Sequence, residues 1–254
     1  MEIKNLLNQT QNLNWIEKIQ FLENNYENVA FSTSFSIEDQ IILDVIFKND
    51  LNIEVFAIDT GRLPSATYEL WQRVTEKYNK PIKTYYPNAE KIAEFVENKG
   101  INSFYNSVNF RHECCHIRKV EPLKKALQGQ KIWISGVRKE HNKNREDKDF
   151  FEFDANLNII KFYPVLEFSE AQVLEYIKNE KVPYNKLYDQ GYKSIGCDPC
   201  TRAVANDEDA RAGRWWWENE GDKECGLHMV NGKLVRAKDM YVREDKLDSE
   251  LFTE

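Results

Sequence analysis

The chain has 254 residues, 41% hydrophobic and 30% charged, which suits one large globular domain, or a domain with an appendage, around a substantial core. No apolar run approaches the ~20 residues that span a bilayer, and the opening MEIKNLLNQTQNLNW lacks signal-peptide anatomy, so a cytoplasmic protein with no membrane partner is expected. A net charge of −7 speaks against a nucleic-acid module, whose footprint is a basic excess, yet leaves room for a few local cations around a small anion.

Residues 13–25 (LNWIEKIQFLENN) carry apolar groups at helical spacing, and NVAFST (28–33) reads as a short buried strand. The loop SFSIED then leads into a helix, IEDQIILDVIFK. Strand IEVFAID (53–59), turn TGR, helix PSATYELWQRVTEKY (64–78), strand PIKTYY (81–86) and helix NAEKIAEFVENK (88–99) follow. Further on, KIWISG (131–136) and NIIKFYP (158–164) read as strands, and SEAQVLEYIKNE (169–180) as a helix with Ser169 as its N-cap. Strands alternating with helices of this length predict βαβ units: an α/β protein with a mostly parallel sheet and helices on both faces. Such sheets bind ligands beyond the carboxyl ends of their strands, which singles out STSFSIED (32–39) and IDTGR (58–62). After about residue 205 the periodicity fails. Residues 1–205 are therefore expected to form the core, and 206–254 a C-terminal segment over it.

STSFSIED places small hydroxyl residues between a strand and a helix N-terminus. Free N–H groups and a partial positive charge there suit a phosphate, although Ser36 and Asp39 also match the spacing of an ordinary capping box. Asp59 and Thr60 stand at a second strand end, where they serve either a base or ribose, or merely a turn. The five cysteines make two pairs and one remainder. Cys114 and Cys115 are adjacent, too close along the chain for a relaxed disulfide. Cys197 and Cys200 form a C-x-x-C. Four thiolates suit zinc or an iron–sulfur cluster. Zinc sites favour spaced pairs, whereas a vicinal pair sits more easily on two corners of a four-iron cube. Arg118 and Lys119, just past the vicinal pair, would offset the negative charge of such a cluster. Cys225, in KECGLH, is flanked by Lys223 and His228 and punctuated by glycines. Nearby cations raise the thiolate fraction of such a cysteine. Arg211 and Arg214 precede WWW (215–217) and are spaced to grip a sulfate or phosphate. The tryptophans are expected to pack the segment onto the core.

STSFSIEDQ, FAIDTGRLPSATYE, CCHIRKVEPLKKAL, ISGVRKE, YPVLEFSEAQVLEYI, GYKSIGCDPCTRAV, RAGRWWWE and KECGLH run through residues 32–228 in one order. Together they resemble the phosphoadenylyl-sulfate reductase family, in its assimilatory branch that acts on adenylyl sulfate. The resemblance implies a Rossmann-like, adenine nucleotide α-hydrolase-like fold. It implies thioredoxin-dependent reduction of adenosine 5′-phosphosulfate to sulfite and AMP through a cysteine S-sulfonate. It also implies a [4Fe-4S] cluster on Cys114, Cys115, Cys197 and Cys200, and Cys225 as the catalytic cysteine. Ser34, Phe35, Ser36, Asp59, Thr60, Lys119, Arg138, Arg211, Arg214 and His228 align with substrate-holding residues. His141 and Asn142 stand where the family usually has a Gln-Ser pair. The alternatives are the same chemistry on the 3′-phosphorylated nucleotide or on both, an ATP pyrophosphatase of the PP-loop type, and a zinc-binding non-enzyme. The PP-loop reading is disfavoured because STSFSIED lacks that loop's two glycines. A homo-oligomer is compatible with the sequence.

Overall fold

Val29–Thr33 (β1) is a five-residue strand whose side chains alternate between two apolar layers, and this alternation organises the molecule. The computed structural model describes residues 2–140, 147–205 and 207–218. His141, Asn142, Cys225 and His228 lie outside the described residues. Helices Glu2–Thr10 (α1) and Trp15–Asn25 (α2) precede β1, and Asn14 closes a full capping box with Glu17 at the start of α2. Ile37–Lys48 (α3), Glu54–Ile58 (β2), Ser65–Tyr78 (α4), Lys83–Tyr85 (β3) and Ala89–Lys99 (α5) then alternate as expected. Val108–Cys115 (α6), a π-helical stretch His116–Val120, and Glu121–Ala126 (α7) run on continuously. Ile132–Ile134 (β4), Phe151–Asp154 (β5), Ile159–Phe162 (β6) and Glu170–Glu180 (α8) follow, with Ser169 capping α8.

The six strands lie in the order β3-β2-β1-β4-β6-β5, parallel except for β5, which pairs antiparallel with β6. Odd and even positions of each inner strand face opposite layers. Phe31, Val55, Ile132 and Ile134 pack with α3, α4 and α8, while Ala30, Phe56 and Trp133 meet Leu123 and Ala126 of α7. A strand buried on both faces must be apolar at nearly every position, and β4 (IWI) is. Ten consecutive residues of α3, from Ile37 to Ile46, are buried, so this helix is enclosed rather than amphipathic.

From β1 the chain runs outward through β2 and β3, then returns to the other side of β1 at β4. The strand order therefore reverses between β1 and β4, the place where open α/β sheets leave a crevice. Gly136, just past β4, sits hard against the start of α3: a Cβ there would lie 2.3 Å from Asp39 Oδ1 and 3.1 Å from the Asp39 nitrogen. The two elements that bound the crevice can approach this closely only because residue 136 has no side chain. Residues 207–218 are packed against the core, not set apart from it. The Arg202 N–H donates to the Gly213 carbonyl, Thr201 bridges Arg214, and Trp215 is 1% exposed.

Candidate functional site

A cleft of about 230 Å³ opens beyond the ends of β1, β2 and β4. Ser34, Phe35 and Ser36 line it from the β1–α3 loop, Thr60 from the end of β2, and Gly136 and Val137 from the end of β4. Lys119, Arg211 and Arg214 supply its cations. Seven of the ten substrate positions implied by the resemblance thus share one cavity. Of the other three, Asp59 is turned to its own loop, where Oδ1 accepts from the Gly61 N–H at 2.8 Å and the Tyr68 hydroxyl at 2.7 Å. Arg138 is buried beside the cleft, where its Nε donates to Glu38 at 2.7 Å and its Nη1 to Glu140 and the Phe168 carbonyl. His228 lies outside the described residues.

The β1–α3 loop is already committed to internal partners. Asp39 Oδ2 accepts from both the N–H and the hydroxyl of Ser34, each at 2.7 Å. The Phe35 N–H donates to Thr33 Oγ1, the Ile37 N–H to the Tyr188 hydroxyl, and the Asp39 N–H to Ser36 Oγ. Phe35 takes a left-handed φ of 62° and packs its ring on Trp71, with centroids 4.9 Å apart. These donors are spent holding the loop's shape, so the groups suited to a sulfate or phosphate are the cations that line the same cleft.

Burial pushes the Asp39 carboxyl up to about 6, even though its hydrogen bonds to Ser34 pull the other way. An unfolded aspartate titrates near 3.8. Between those values the folded chain holds the extra proton, so stability falls as pH rises through the window, and above pH 6 the cost is complete. Asp39→Asn keeps an acceptor for Ser34 and removes the charge. Its expected gain is up to about 3 kcal/mol at pH 7 and above, shrinking to nothing near pH 4. Urea unfolding across that range measures the gain; an equal effect at pH 4 and pH 8 would refute the assignment.

The four cysteines outside the C-terminal segment meet in one small void on the other side of this wall. Cys114, Cys115, Cys197 and Cys200 line it together with Arg62, Arg111, Arg118, Lys119 and Arg214. The vicinal pair ends α6, and the π-helical stretch after it brings Arg118 and Lys119 to the same place; such wide turns recur at functional sites. The IDTGR turn ties the pairs together. Thr60 Oγ1 lies 3.3 Å from Cys197 Sγ, the Thr60 carbonyl accepts from Arg118 at 2.7 Å, and the Asp198 N–H donates to the Arg62 carbonyl at 2.8 Å. A Cβ on Gly196 would fall 2.2 Å from the Arg214 guanidinium, so the glycine before Cys197 makes room for that cation.

Electrostatics divides the thiols. Burial pushes Cys200 up to about 12, reinforced by Cys197, and raises Cys114 despite Arg118. At Cys197 burial is outweighed by Lys119, the Thr60 hydrogen bond, Arg214 and Arg118, and the thiol falls below its ordinary value. Five basic side chains line the void with the thiols, Arg111 among them already paired with Glu218. An anionic thiolate-bound group would find basic surroundings there, and the buried Nε of Arg118, one of the lining residues, has no hydrogen-bond partner among the described residues. Among the described residues no compact group of three Cys, His, Asp or Glu side chains is arranged for a single metal ion. By donor chemistry, four sulfurs at one void lined by basic side chains could hold an iron–sulfur cluster. Lys119, Arg214 and Trp215 line both the void and the cleft. Trp215 packs the segment onto the core, as expected of the run of three tryptophans, while its place in the wall between void and cleft is a residue role the sequence did not indicate.

Residues 28–203 match the model of the phosphoadenosine phosphosulfate reductase domain. The chain is 46% identical over 202 residues to the adenosine 5′-phosphosulfate reductase of Allochromatium vinosum, covering 80% of this chain and 79% of that one. It is 44% identical over 213 residues to the enzyme of the same name from Neisseria meningitidis serogroup A, covering 84% and 87%. Among solved structures, the phosphate complex of phosphoadenylyl-sulfate reductase from Candida auris superposes with a TM-score of 0.67 at 29% identity, covering 78% of this chain and 94% of that one. No helix among the described residues is long and apolar enough to cross a membrane.

Proposed function

The chain belongs to the phosphoadenosine phosphosulfate reductase family, and from that premise we propose that it reduces adenosine 5′-phosphosulfate to sulfite and AMP, with electrons from thioredoxin or a similar dithiol protein. The observation that carries this reading is the shared wall. A cleft at the strand switch point, lined by three cations, stands against a void lined by four cysteines, with Lys119 and Arg214 common to both.

Cys114, Cys115, Cys197 and Cys200 would hold a [4Fe-4S] cluster. Bound there, it would supply a delocalised negative charge among the basic residues that line the void, Lys119 included. The protein's own residues do the rest. The β1–α3 loop and Thr60 seat the nucleoside end. Arg211, Arg214 and Lys119 hold the phosphosulfate and neutralise charge that develops on the transferring group. The Cys225 thiolate attacks the sulfuryl sulfur, an S–S bond forms, and the S–O bond to AMP breaks with its electron pair on the AMP phosphate. His228 assists at the same group. A dithiol protein's thiolate then attacks Cys225 Sγ, forms a mixed disulfide and expels sulfite; its second thiol resolves that disulfide and returns Cys225 as thiolate.

The test is sulfite release by anaerobically purified, brown protein from adenosine 5′-phosphosulfate and from its 3′-phosphorylated form, with and without thioredoxin. The expected result is thioredoxin-dependent sulfite, with preference for the unphosphorylated nucleotide. Hydrolysis of ATP to AMP and pyrophosphate without sulfite would put the chain with the PP-loop enzymes instead. A colourless protein with one zinc per chain would favour a binding role.

A further inference from the structure

Arg111 and Glu218 form a bidentate ion pair withdrawn from water. Arg111 Nε donates to Oε1 at 2.9 Å and Nη2 to Oε2 at 2.6 Å, with the two side chains 0% and 3% exposed. Arg111 stands on α6, one helical turn before Cys114, in the wall of the four-cysteine void. Glu218 closes a tight turn: its N–H donates to the Trp215 carbonyl, and the Trp215 N–H to the Cys200 carbonyl. Inside that turn Trp215 is driven into the core at a left-handed φ of 42°, a conformation that a bulky residue holds only when its surroundings over-determine it. They do so here. The guanidinium carbons of Arg111 and Arg214 lie 4.6 and 4.7 Å from the indole ring centre, within the range of a cation–π contact.

A buried ion pair is weak evidence for stability, because desolvation offsets most of its attraction; its better-attested use is to fix one arrangement among several. What this pair fixes is the last point of the 214–218 turn. Cys225 follows Glu218 by seven positions, and seven residues reach at most about 25 Å. The place from which the chain leaves Glu218 therefore limits where the Cys225 thiol can go. We infer, resting on the reading of Cys225 as nucleophile, that Arg111 and Glu218 are positioning residues: the pair moors the root of the Cys225-bearing segment to the cluster helix, so that the thiol's effective concentration at the cleft is high. Trp215 is the peg that keeps the mooring in register with Arg214.

The test uses the cluster-loaded full-length chain and two variants, Glu218→Gln and the double variant Arg111→Gln/Glu218→Gln. The double variant leaves no uncompensated buried charge and guards against simple misfolding. Four readouts are taken: kcat and KM for sulfite release, equilibrium affinity for AMP, the visible absorbance of the cluster, and the pre-steady-state rate of S-sulfonate formation on Cys225. The expected result for the double variant is a fall of 10-fold or more in kcat and in S-sulfonate formation. KM, AMP affinity and absorbance should stay within twofold. Unchanged kcat, a rise in KM alone, or loss of cluster absorbance from the double variant would each overturn the inference. Failure of the wild-type chain to form any S-sulfonate would instead overturn the reading on which it rests.

Discussion

Cys225→Ser is expected to release no measurable sulfite, a fall of at least about 10³-fold, or about 4 kcal/mol of transition-state stabilisation, while keeping the brown colour and the affinity for AMP. The reason is elementary. A thiol with an ordinary pKa near 8.5 already carries a few per cent of thiolate at neutral pH, and cationic neighbours raise that fraction. A serine hydroxyl carries essentially none. The chemistry also asks the nucleophile to become a leaving group's partner twice, first accepting a sulfuryl group and then yielding it to an incoming thiolate. A serine sulfate ester would offer that second thiolate a carbon–oxygen–sulfur linkage without a disulfide-like bond to exchange. The four other cysteines line the void on the far side of Lys119, Arg214 and Trp215 and give no substitute. Sulfite assay and visible spectroscopy on the same sample decide the matter; appreciable turnover by the variant would remove Cys225 from the reaction.

The second large effect concerns the buried thiols. Cys200→Ser, or stripping of iron from the wild-type chain by a chelator, is expected to bleach the protein and abolish sulfite release. It should also lower stability by at least about 3 kcal/mol, which for a chain of this size corresponds to roughly 6–12 °C in Tm. A bound cluster would add folding free energy, because a site assembled from distant segments exists only in the folded chain. Cys200 is the informative position, since burial and Cys197 push its thiol up to about 12 and only an iron ligand would hold it as thiolate. Loading the cluster therefore releases protons, and iron retention should weaken as pH falls. If the Cys200→Ser protein kept iron and inorganic sulfide in wild-type ratio, the cluster assignment would fail.

The alternation of strand and helix patterns was enough to place β1, β2, β3, β4 and β6, and the helices α2, α3, α4, α5 and α8, because most are marked by local periodicity and a nearby cap or turn, and the enclosed α3 by its length and the Ser36 cap. Ser169 and Ser36 cap helices as their positions suggest. Helix α1, short though amphipathic, and the α6–π–α7 run are not among the elements read from the sequence. The latter buries Arg111, Cys114, Cys115, Ile117 and Arg118 together, a mixture of charge and thiol that no amphipathic template matches. The edge strand β5 is held by pairing with β6 and reads as nothing special alone.

Sequence alone determined the chemical cast: two thiol pairs, one thiol apart, a hydroxyl-rich strand end, and the basic residues. It did so because residue type and short-range spacing are written along the chain. Tertiary structure alone decided who meets whom. Residues 60, 119, 197 and 214 share one wall only after β2, the π-turn and the C-x-x-C loop are packed together. It decided that Arg138 is bound to Glu38, because a buried charge takes the partner the fold supplies, and that the less buried Asp59 is bound to its own turn. The strand order placed the cleft, and a pair 107 positions apart, Arg111 and Glu218, closed the turn beside it. Contacts of such range are set by the packing of whole elements, and no local pattern encodes them.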